Sequence, residues 1–393
     1  MTARKKVVIV ALVLLALAAA FWRAPVSIAF GFDFGFGGDI GSRLKSITLA
    51  DEGLTIGIFA DALPKARQIA IGGEGWVFVG SRADSVYALR DKDGDGIAED
   101  KRIIAKGLRA PHGVAFGGGD LYIGEIPRVL VVRDVIGKLK SGAAIMPEVF
   151  IDGLPSDGHH GVRHLGIAPD GKMLYVSFGV PCNICKPEND LAGVIRRYSL
   201  SAPALLIYPP VPLMATDGEV YARGLRNAVG FAWHPQTKVL WITDNGRDWL
   251  GDDLPGDELN RAPVAGMHFG FPYCHQGDFP DPEFGDEKPC DEFAAPALLT
   301  GAHVANLGMA FTKDGDALIA LHGSWNRSVK VGYSVRRARI KDGRVIDYED
   351  YAKGWLSDNG SVWGRPVDIA ILPDGGVLVS DDNADAVYII RQQ

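Results

Sequence analysis

The chain has 393 residues, of which 47% are hydrophobic and 23% charged, as in ordinary globular proteins. This length suffices for one large all-β domain or two domains of average size. The net charge is −7, and no stretch rich in Lys and Arg follows the first few residues, which argues against nucleic acid as a partner.

The N-terminus has the composition of an export segment. A basic cluster at residues 4–6 precedes an unbroken apolar run of sixteen residues, 7–22. That run is near the upper length of a signal-peptide core and short for a membrane span. We therefore predict that residues 1–23 are a cleaved signal peptide or a retained signal anchor. Either places the rest of the chain in the periplasm or outside the cell, and the anchor tethers it to the inner membrane. Residues 24–49 are interpreted as a linker.

From residue 50 onwards, one pattern recurs six times: an apolar run, a short turn that often contains DG or GG, and a second apolar run. The copies are residues 67–81, 111–125, 163–179, 226–244, 306–323 and 365–382. Each copy predicts a β-hairpin, and another strand-like segment follows it. Small sheets repeated without a helical period between them predict an all-β fold, a six-bladed β-propeller over residues 50–393. A β-sandwich or a solenoid is the alternative.

A short acidic segment, DKDGDGIAED, occupies residues 91–100 between the first two copies. Asp91, Asp93, Asp95 and the Gly that follows match the first half of a calcium-binding loop. Arg102 stands where such a loop has its bidentate Glu. The segment is therefore either a second calcium site or a plain turn.

Polar residues lead most of the copies, and the inner strands of a propeller line its central channel. These leading residues are His112, Arg163, Arg226, Asn227, Asn306 and Arg365. An Arg is costly to bury unless an anion meets it. Several Arg that converge from different blades predict a carboxylate-bearing or polyanionic ligand, with an internal Arg–Asp network as the alternative.

A histidine cluster, His159, His160 and His164, lies at the start of the third copy beside Arg163. A neighbouring Arg favours the neutral imidazole, which is the form that acts as a general base. Three His could also hold a transition metal, but this spacing is not a known zinc pattern. A structural role for these side chains is the remaining alternative.

The four Cys are residues 182, 185, 274 and 290. Because an exported chain meets an oxidising compartment, we predict two local disulfides, Cys182–Cys185 and Cys274–Cys290. A zinc site is a weaker alternative. CNIC is not followed by His, so the sequence does not support covalent haem attachment.

Residues 244–260, DNGRDWLGDDLPGDELN, contain six carboxylates among seventeen residues. Carboxylates separated by Gly and backbone carbonyls suit calcium, which takes six to eight oxygen ligands. Asp257 and Glu258 lead back into a strand and are the better placed pair. A solvated acidic loop is the alternative.

Taken in order, several segments resemble the glucose/sorbosone dehydrogenase family, whose members use pyrroloquinoline quinone (PQQ). The resemblance covers about residues 55–390 and rests on HHGVRHLGIAPDG, GLRNAVGFAWHP, the loop from Asp-Asn-Gly to Asp-Glu-Leu-Asn, HFGFPYC, HGSWNR and GRPVDIAILPDG. It implies a six-bladed propeller that holds PQQ over the channel and oxidises a sugar or a related alcohol or aldehyde by hydride transfer. The electrons then pass to an external acceptor.

The resemblance also implies roles for single residues. His160 would be the general base, with His159 as its competitor, and Arg226 and Asn227 would contact the quinone oxygens. The remaining implied cofactor contacts are Arg163, Arg365, Arg327 and Lys330. The implied calcium ligands are the carbonyls of Gly246 and Arg247, with Asp257 and Glu258 beside them.

Departures from the family pattern bear on cofactor affinity and on the identity of the sugar. The second His, the CNIC loop and HGSWNR favour the sorbosone-type branch, and Val367 stands where a further family Arg is expected. Two other functions remain open: a calcium-dependent propeller hydrolase of the lactonase type, and a binding propeller without enzymatic activity.

Overall fold

The computed structural model describes residues 40–201 and 211–393, and the predicted export segment lies outside them. These residues form six small antiparallel sheets, which confirms the predicted six-bladed β-propeller. Among them, no helix is both long and apolar enough to span a bilayer.

The first three blades follow the chain order of the first three repeats. Blade 1 consists of Ala66–Ile71, Trp76–Ser81, Val86–Arg90 and Asp100–Ala105. Blade 2 consists of Gly113–Gly117, Asp120–Glu125, Arg128–Val132 and Glu148–Asp152, with Leu213–Met214 added in parallel. Blade 3 consists of Leu165–Ile167, Met173–Phe178, Val194–Ser199 and Glu219–Arg223, with Met267–His268 added in parallel.

The last three blades complete the ring. Blade 4 consists of Gly230–Trp233, Leu240–Asp244, Gly256–Ala262 and Leu298–Ala302. Blade 5 consists of Asn306–Phe311, Ala317–Leu321, Ser334–Lys341 and Arg344–Lys353, with Thr48–Leu49 on its outer edge. Blade 6 consists of Pro366–Ile371, Val377–Asp381, Ala386–Gln392 and Leu54–Ala60.

The connections carry little regular structure. The α-helices are Ile40–Leu44 and Val135–Ser141, and the 3-10 helices are Ala215–Asp217, Gly285–Glu287 and Cys290–Glu292. A two-stranded ribbon pairs Cys274–His275 with Phe279–Pro280.

Each blade buries its two faces against its neighbours. Alternating apolar residues form a separate cluster at each of the six blade interfaces of the described chain, including the interface of blade 6 with blade 1, where Val79 packs with Leu378. This last cluster shows that the blades form a closed ring. The ring is held shut by antiparallel pairing of Leu54–Ala60 with Ala386–Gln392, which joins the two ends of the propeller.

The inner strands approach so closely that glycine is required where backbones meet. A Cβ on Gly113 would lie 2.2 Å from the carbonyl oxygen of Arg163, and one on Gly230 would lie 2.1 Å from that of Leu307. Both distances are shorter than any real contact, so a side chain there would force the blades apart. The leading ends of the inner strands are thereby brought around one axis.

Part of the predicted linker belongs to the folded ring. Residues 24–49 were interpreted as a linker, but the described portion, 40–49, contains the helix Ile40–Leu44 and the strand Thr48–Leu49. Leu44 is buried in the cluster between blades 5 and 6, and Ile40, Ile47 and Leu49 pack against it. These four apolar residues supply the burial that a linker lacks.

Both predicted disulfides are present. Cys182 pairs with Cys185 and Cys274 with Cys290, which leaves no free Cys in the described chain and no thiolate set for zinc.

Candidate functional site

A cavity of about 240 Å³ opens where the leading ends of the inner strands converge. Its charged and polar lining comes from blades far apart in the chain: Arg67, Arg82, His160, Arg226, Asn227, Asn245, Asp248, Asp257, His303, His322 and Asn326. Closed, partly polar clefts of this kind are where proteins bind small molecules.

His160 lies in this cavity as a neutral imidazole. Its Nδ1 is 2.9 Å from the carbonyl oxygen of Val180. Because a carbonyl only accepts, Nδ1 carries the proton and Nε2 keeps the free lone pair. Burial, followed by the charge of Arg226 and then His159, lowers the pKa of His160 to about 3. Its φ of 49° lies in the left-handed region, a strain that tends to persist at functional positions.

His159 and His164 are placed elsewhere. His159 is exposed and does not line the cavity, although its ring centroid is 4.0 Å from that of His160. His164 is buried beneath the cavity, where its ring packs against Phe231. Of the three histidines, only His160 lines this cavity.

Arg226 and Asn227 lie at the cavity wall and are held by one carboxylate. The two oxygens of Asp244 accept the backbone N–H groups of Arg226 and Asn227 at 2.9 and 2.6 Å. The guanidinium of Arg226 is buried, donates to Asp248 at 3.0 Å, and borders the cavity. Its positive charge is therefore fixed beside His160.

Three buried carboxylates lie near Arg226 without a cation of their own. Burial raises the pKa of Asp244 to about 6, of Asp257 to about 7 and of Glu258 to about 8. None of the three forms a salt bridge within the described residues. Asp257 lines the cavity and accepts the N–H of Gly246 at 2.8 Å.

A buried hydrogen-bond acceptor without a donor lies next to Asp244 in the chain. The side-chain oxygen Oδ1 of Asn245 is buried without a hydrogen-bond donor. Carboxylate, amide and carbonyl oxygens that lack positive partners are the donor set of a hard cation such as calcium. Asp257 and Asn245 border the cavity and offer oxygens of the kind that calcium takes, whereas Asp244 and Glu258 do not line it.

The predicted metal ligands are only partly brought together. Gly246 and Asp257 border the cavity. Glu258 follows Asp257 in a strand, so it lies on the opposite face, where it accepts from Asn260 and the N–H of Gln276. The side chain of Arg247 turns away from the cavity to pair with Asp281 at 2.5 Å.

Four predicted cofactor contacts lie outside the cavity. Arg163 is buried and donates to the carbonyls of Ile126 and Pro155, and Arg365 donates to those of His322 and Gly323. Arg327 pairs with Asp253, and Lys330 donates to the carbonyl of Gly360. Each of these cations is already bonded to a main-chain carbonyl or a carboxylate. None of the four residues lines the cavity.

Two other cations, which the sequence analysis did not name, line the cavity instead. Arg67 is buried at the cavity and bonds to His112 and, at 2.6 Å, to Asp382. Arg82 is exposed at the cavity and has no ion pair within the described chain. Arg67 is the first residue of the first repeat, as Arg226 is of the fourth. The argument from leading residues that named Arg226 would therefore also have named Arg67.

His322 and Asp382 were also missed. The Nε2 of His322 lies 2.8 Å from Asp382, the same carboxylate that pairs with Arg67. His322 and Arg67 hold the pKa of Asp382 well below its usual range, although burial opposes them. Asp382 is therefore an anion that orients two cavity-lining side chains.

The second acidic segment forms a compact loop, and none of its residues lines the cavity. Oxygens of Asp91, Asp93, Asp95 and Glu99 lie within 4.8 Å of one another. Asp100 instead pairs with Lys92 and Arg102. The second calcium site stays a prediction.

Comparisons with known proteins agree with the fold. Residues 48–393 match the TrAA12-like family. A Borreliella burgdorferi protein described only as uncharacterized is 30% identical over 376 residues, which cover 88% of this chain and 93% of that protein.

Solved structures of low sequence identity share the architecture. A calcium structure of a Trichoderma reesei carbohydrate-active enzyme of family AA12 has a TM-score of 0.78 at 20% identity, covering 88% of this chain and 97% of that one. The holo form of the pyranose dehydrogenase PQQ domain from Coprinopsis cinerea has a TM-score of 0.75 at 19% identity, with the same coverages of 88% and 97%.

We expect the His160 ring to remain neutral throughout the range of about pH 5–8 in which a solvated His titrates, because burial and Arg226 lower its pKa. Histidine-selective NMR would follow the ring signals, with His160→Gln as the assignment control. In Arg226→Gln the pKa of His160 should rise. A midpoint near the unperturbed value of about 6.5 in the unmodified protein would contradict the expectation.

Proposed function

Since this chain belongs to the TrAA12-like family, we propose that it is a PQQ- and calcium-dependent dehydrogenase that oxidises a sugar or a related alcohol or aldehyde. The observation that carries the proposal is one cavity bordered by three Arg, a His whose pKa is lowered by burial, and the buried carboxylate of Asp257, which forms no salt bridge within the described residues. The names of structurally similar proteins, a pyranose dehydrogenase PQQ domain and a calcium-containing AA12 enzyme, support it.

The charge of the cavity suits the proposed cofactors. PQQ carries several carboxylates, and Arg67, Arg82 and Arg226 are the cations that border the cavity. Arg82, which has no ion pair within the described residues, is available to an incoming carboxylate. Calcium would be held beside Asp257, the carbonyl of Gly246 and the unpaired Oδ1 of Asn245.

The protein's own groups supply positioning and proton transfer. When bound, PQQ would accept the hydride and calcium would polarise a quinone oxygen. Nε2 of His160, with its free lone pair, would take the proton from the substrate hydroxyl. Arg226 would stabilise negative charge that develops on a neighbouring oxygen, since its guanidinium is already fixed and desolvated.

The mouth of the cavity suits a polyhydroxylated substrate. His303 and Asn326 border it, and Trp325 presents an indole that is 64% exposed. Polar side chains can hydrogen-bond to sugar hydroxyls, while an exposed ring can pack on the apolar face of a sugar. We propose a sugar as substrate, with the sorbosone-type branch as the narrower assignment, and an external electron acceptor.

We also propose that the protein is exported. The two disulfides of the structure support an oxidising compartment, either the periplasm or the cell exterior. The apolar segment near the N-terminus would be the export signal or an inner-membrane tether.

Reconstitution tests the proposed function directly. Purified apo-protein is supplied with PQQ and calcium, and dye reduction is followed with aldoses, sorbosone and simple alcohols. Turnover that requires both additions is the expected result. Lactone hydrolysis with calcium but without PQQ would instead establish the hydrolase, which the buried carboxylates also suit. Inactivity in both assays would leave a binding propeller.

We expect His160→Ala to lower kcat by about 10²–10⁴-fold, the usual contribution of a positioned base, while PQQ affinity changes little. Steady-state kinetics and PQQ titration by absorbance measure the two quantities. His159→Ala is the matched control, because His159 is exposed and outside the cavity, and it should retain activity. Loss of PQQ binding in His160→Ala would make His160 a structural residue instead.

We expect Asp257→Asn to raise the calcium concentration needed for half-maximal stabilisation by at least about tenfold, the scale of metal-site mutations. Thermal melting against calcium concentration measures this without turnover. Asp381→Asn is the control, since Asp381 is also a buried carboxylate with a raised pKa but does not line the cavity. An unchanged calcium requirement in Asp257→Asn would move the metal elsewhere.

A further inference from the structure

The loop that contains CNIC has no part in the proposed chemistry, yet it bonds to Arg226 and Asp248, which border the cavity. It connects the second and third strands of blade 3, Met173–Phe178 and Val194–Ser199. The Cys182–Cys185 disulfide closes a small ring around Asn183 and Ile184 within this loop.

Asn183 bonds to Arg226 and Asp248 through its main-chain carbonyl and both polar atoms of its side chain. Its carbonyl oxygen accepts Nε of Arg226 at 2.8 Å, and its Oδ1 accepts Nη2 of Arg226, also at 2.8 Å. The same Oδ1 accepts the N–H of Asp248 at 2.8 Å, and Nδ2 donates to the carbonyl of Asp248 at 3.1 Å. Asn183 therefore joins the two charged residues that border the cavity on this side.

These contacts determine where the Arg226 guanidinium is aimed. Its other two hydrogen bonds, to the carbonyl of Asn245 at 3.3 Å and to Asp248 at 3.0 Å, are longer. A guanidinium is a planar fork, so two bonds from one residue fix its plane as well as its position. Arg226 is only 4% exposed, and water cannot replace the lost acceptors without opening the site.

The backbone of this loop lies outside the propeller strands, so another constraint must hold Asn183 in place. Cys182, Asn183 and Cys185 are partly exposed and have no strand partners. The disulfide restricts the conformations open to these few residues, and Val180 ties the start of the loop to the carbonyl of Arg226 at 2.9 Å. Without the disulfide, the loop would sample conformations in which the Asn183 carbonyl leaves Arg226.

We propose that Asn183 is a positioning residue that aims Arg226 at the cavity, and that the Cys182–Cys185 disulfide keeps it there. A dithiol reductant would then loosen the site. Reduction yields two Cys thiols and oxidises the dithiol to its own disulfide, with two electrons and two protons transferred. The kinetic consequence rests on the proposed dehydrogenase function, whereas the effect on Arg226 does not.

A double-mutant cycle tests the coupling of the two residues. Asn183→Ala should lower kcat/KM by about 10–100-fold, as changes to orienting residues do. Arg226→Lys keeps the charge but removes the fork, so adding Asn183→Ala to it should change kcat/KM by less than about twofold, within the limit of additivity. Asn183→Asp keeps both acceptors for Arg226 but loses the donor to the Asp248 carbonyl, so it should recover part of the activity. Equal losses in both backgrounds would overturn the proposal, because Asn183 would then act on something else.

The disulfide is tested with a matched pair of variants. Cys182→Ser/Cys185→Ser should reproduce the loss seen in Asn183→Ala and should no longer respond to dithiothreitol. Cys274→Ser/Cys290→Ser, which removes the other disulfide, should remain sensitive. Melting temperatures identify any variant that does not fold, in which case dithiothreitol treatment of the unmodified protein supplies the comparison. Full activity after reduction of Cys182–Cys185, verified by thiol alkylation, would refute the role of the disulfide.

A measurement without turnover separates this proposal from the proposed function. In arginine-labelled apo-protein, the Nε–H of Arg226 should exchange slowly with water, because it is buried and bonded to Asn183. Exchange should accelerate in Cys182→Ser/Cys185→Ser, with Arg226→Lys assigning the signal. An unchanged exchange rate would overturn the proposal even in an active dehydrogenase. Faster exchange would support it even if no substrate were turned over.

Discussion

The pairing of Leu54–Ala60 with Ala386–Gln392 is the constraint on which the cavity depends. It joins strands from the two ends of the propeller and so converts a row of blades into a ring. Only in a closed ring do the leading ends of the inner strands face one axis, where residues as distant in the chain as Arg67 and His322 border the same space. The loop-closure entropy lost in that pairing is offset by the apolar cluster between blades 6 and 1.

Burial shifts the pKa values of acidic and basic side chains at the cavity in opposite directions. It lowers the pKa of His160 to about 3 and raises that of Asp257 to about 7, because burial disfavours the charged form of each. Arg67 and Arg226 are paired with Asp382 and Asp248, whereas Arg82 and Asp257 form no salt bridge within the described residues. A ligand that combines acidic groups with a bound metal complements both Arg82 and Asp257, which a simple neutral ligand does not.

The fold could be predicted because each hairpin repeat has a local sequence pattern, in which alternating apolar residues flank a turn that contains Gly. Arg226 was named from its place at the start of a repeat, His160 from the family resemblance and Asp257 from the acidic loop, and all three border the cavity. Side-chain direction could not be predicted. Arg163 also leads an inner strand, but its guanidinium turns to the carbonyl oxygens of Ile126 and Pro155, and no sequence pattern encodes those loop positions. Partners distant in the chain also could not be predicted from the sequence: Asp382, which bonds to Arg67, lies 315 residues away from it.

One residue, Val180 in the loop that follows a blade 3 strand, links His160 to Arg226 through its main chain. The N–H of Val180 donates to the carbonyl of Arg226, and its own carbonyl accepts from His160, both at 2.9 Å. Main-chain atoms of Val180 make both bonds, so a substitution of the Val180 side chain leaves them intact. Mutagenesis of single side chains would therefore not detect this link. Insertion or deletion of a single amino acid between Phe178 and Val180 would shift the register and break both bonds at once. The length of this segment is therefore constrained in addition to its composition, which is itself restricted at Gly179, where a Cβ would lie 2.7 Å from the carbonyl oxygen of His160.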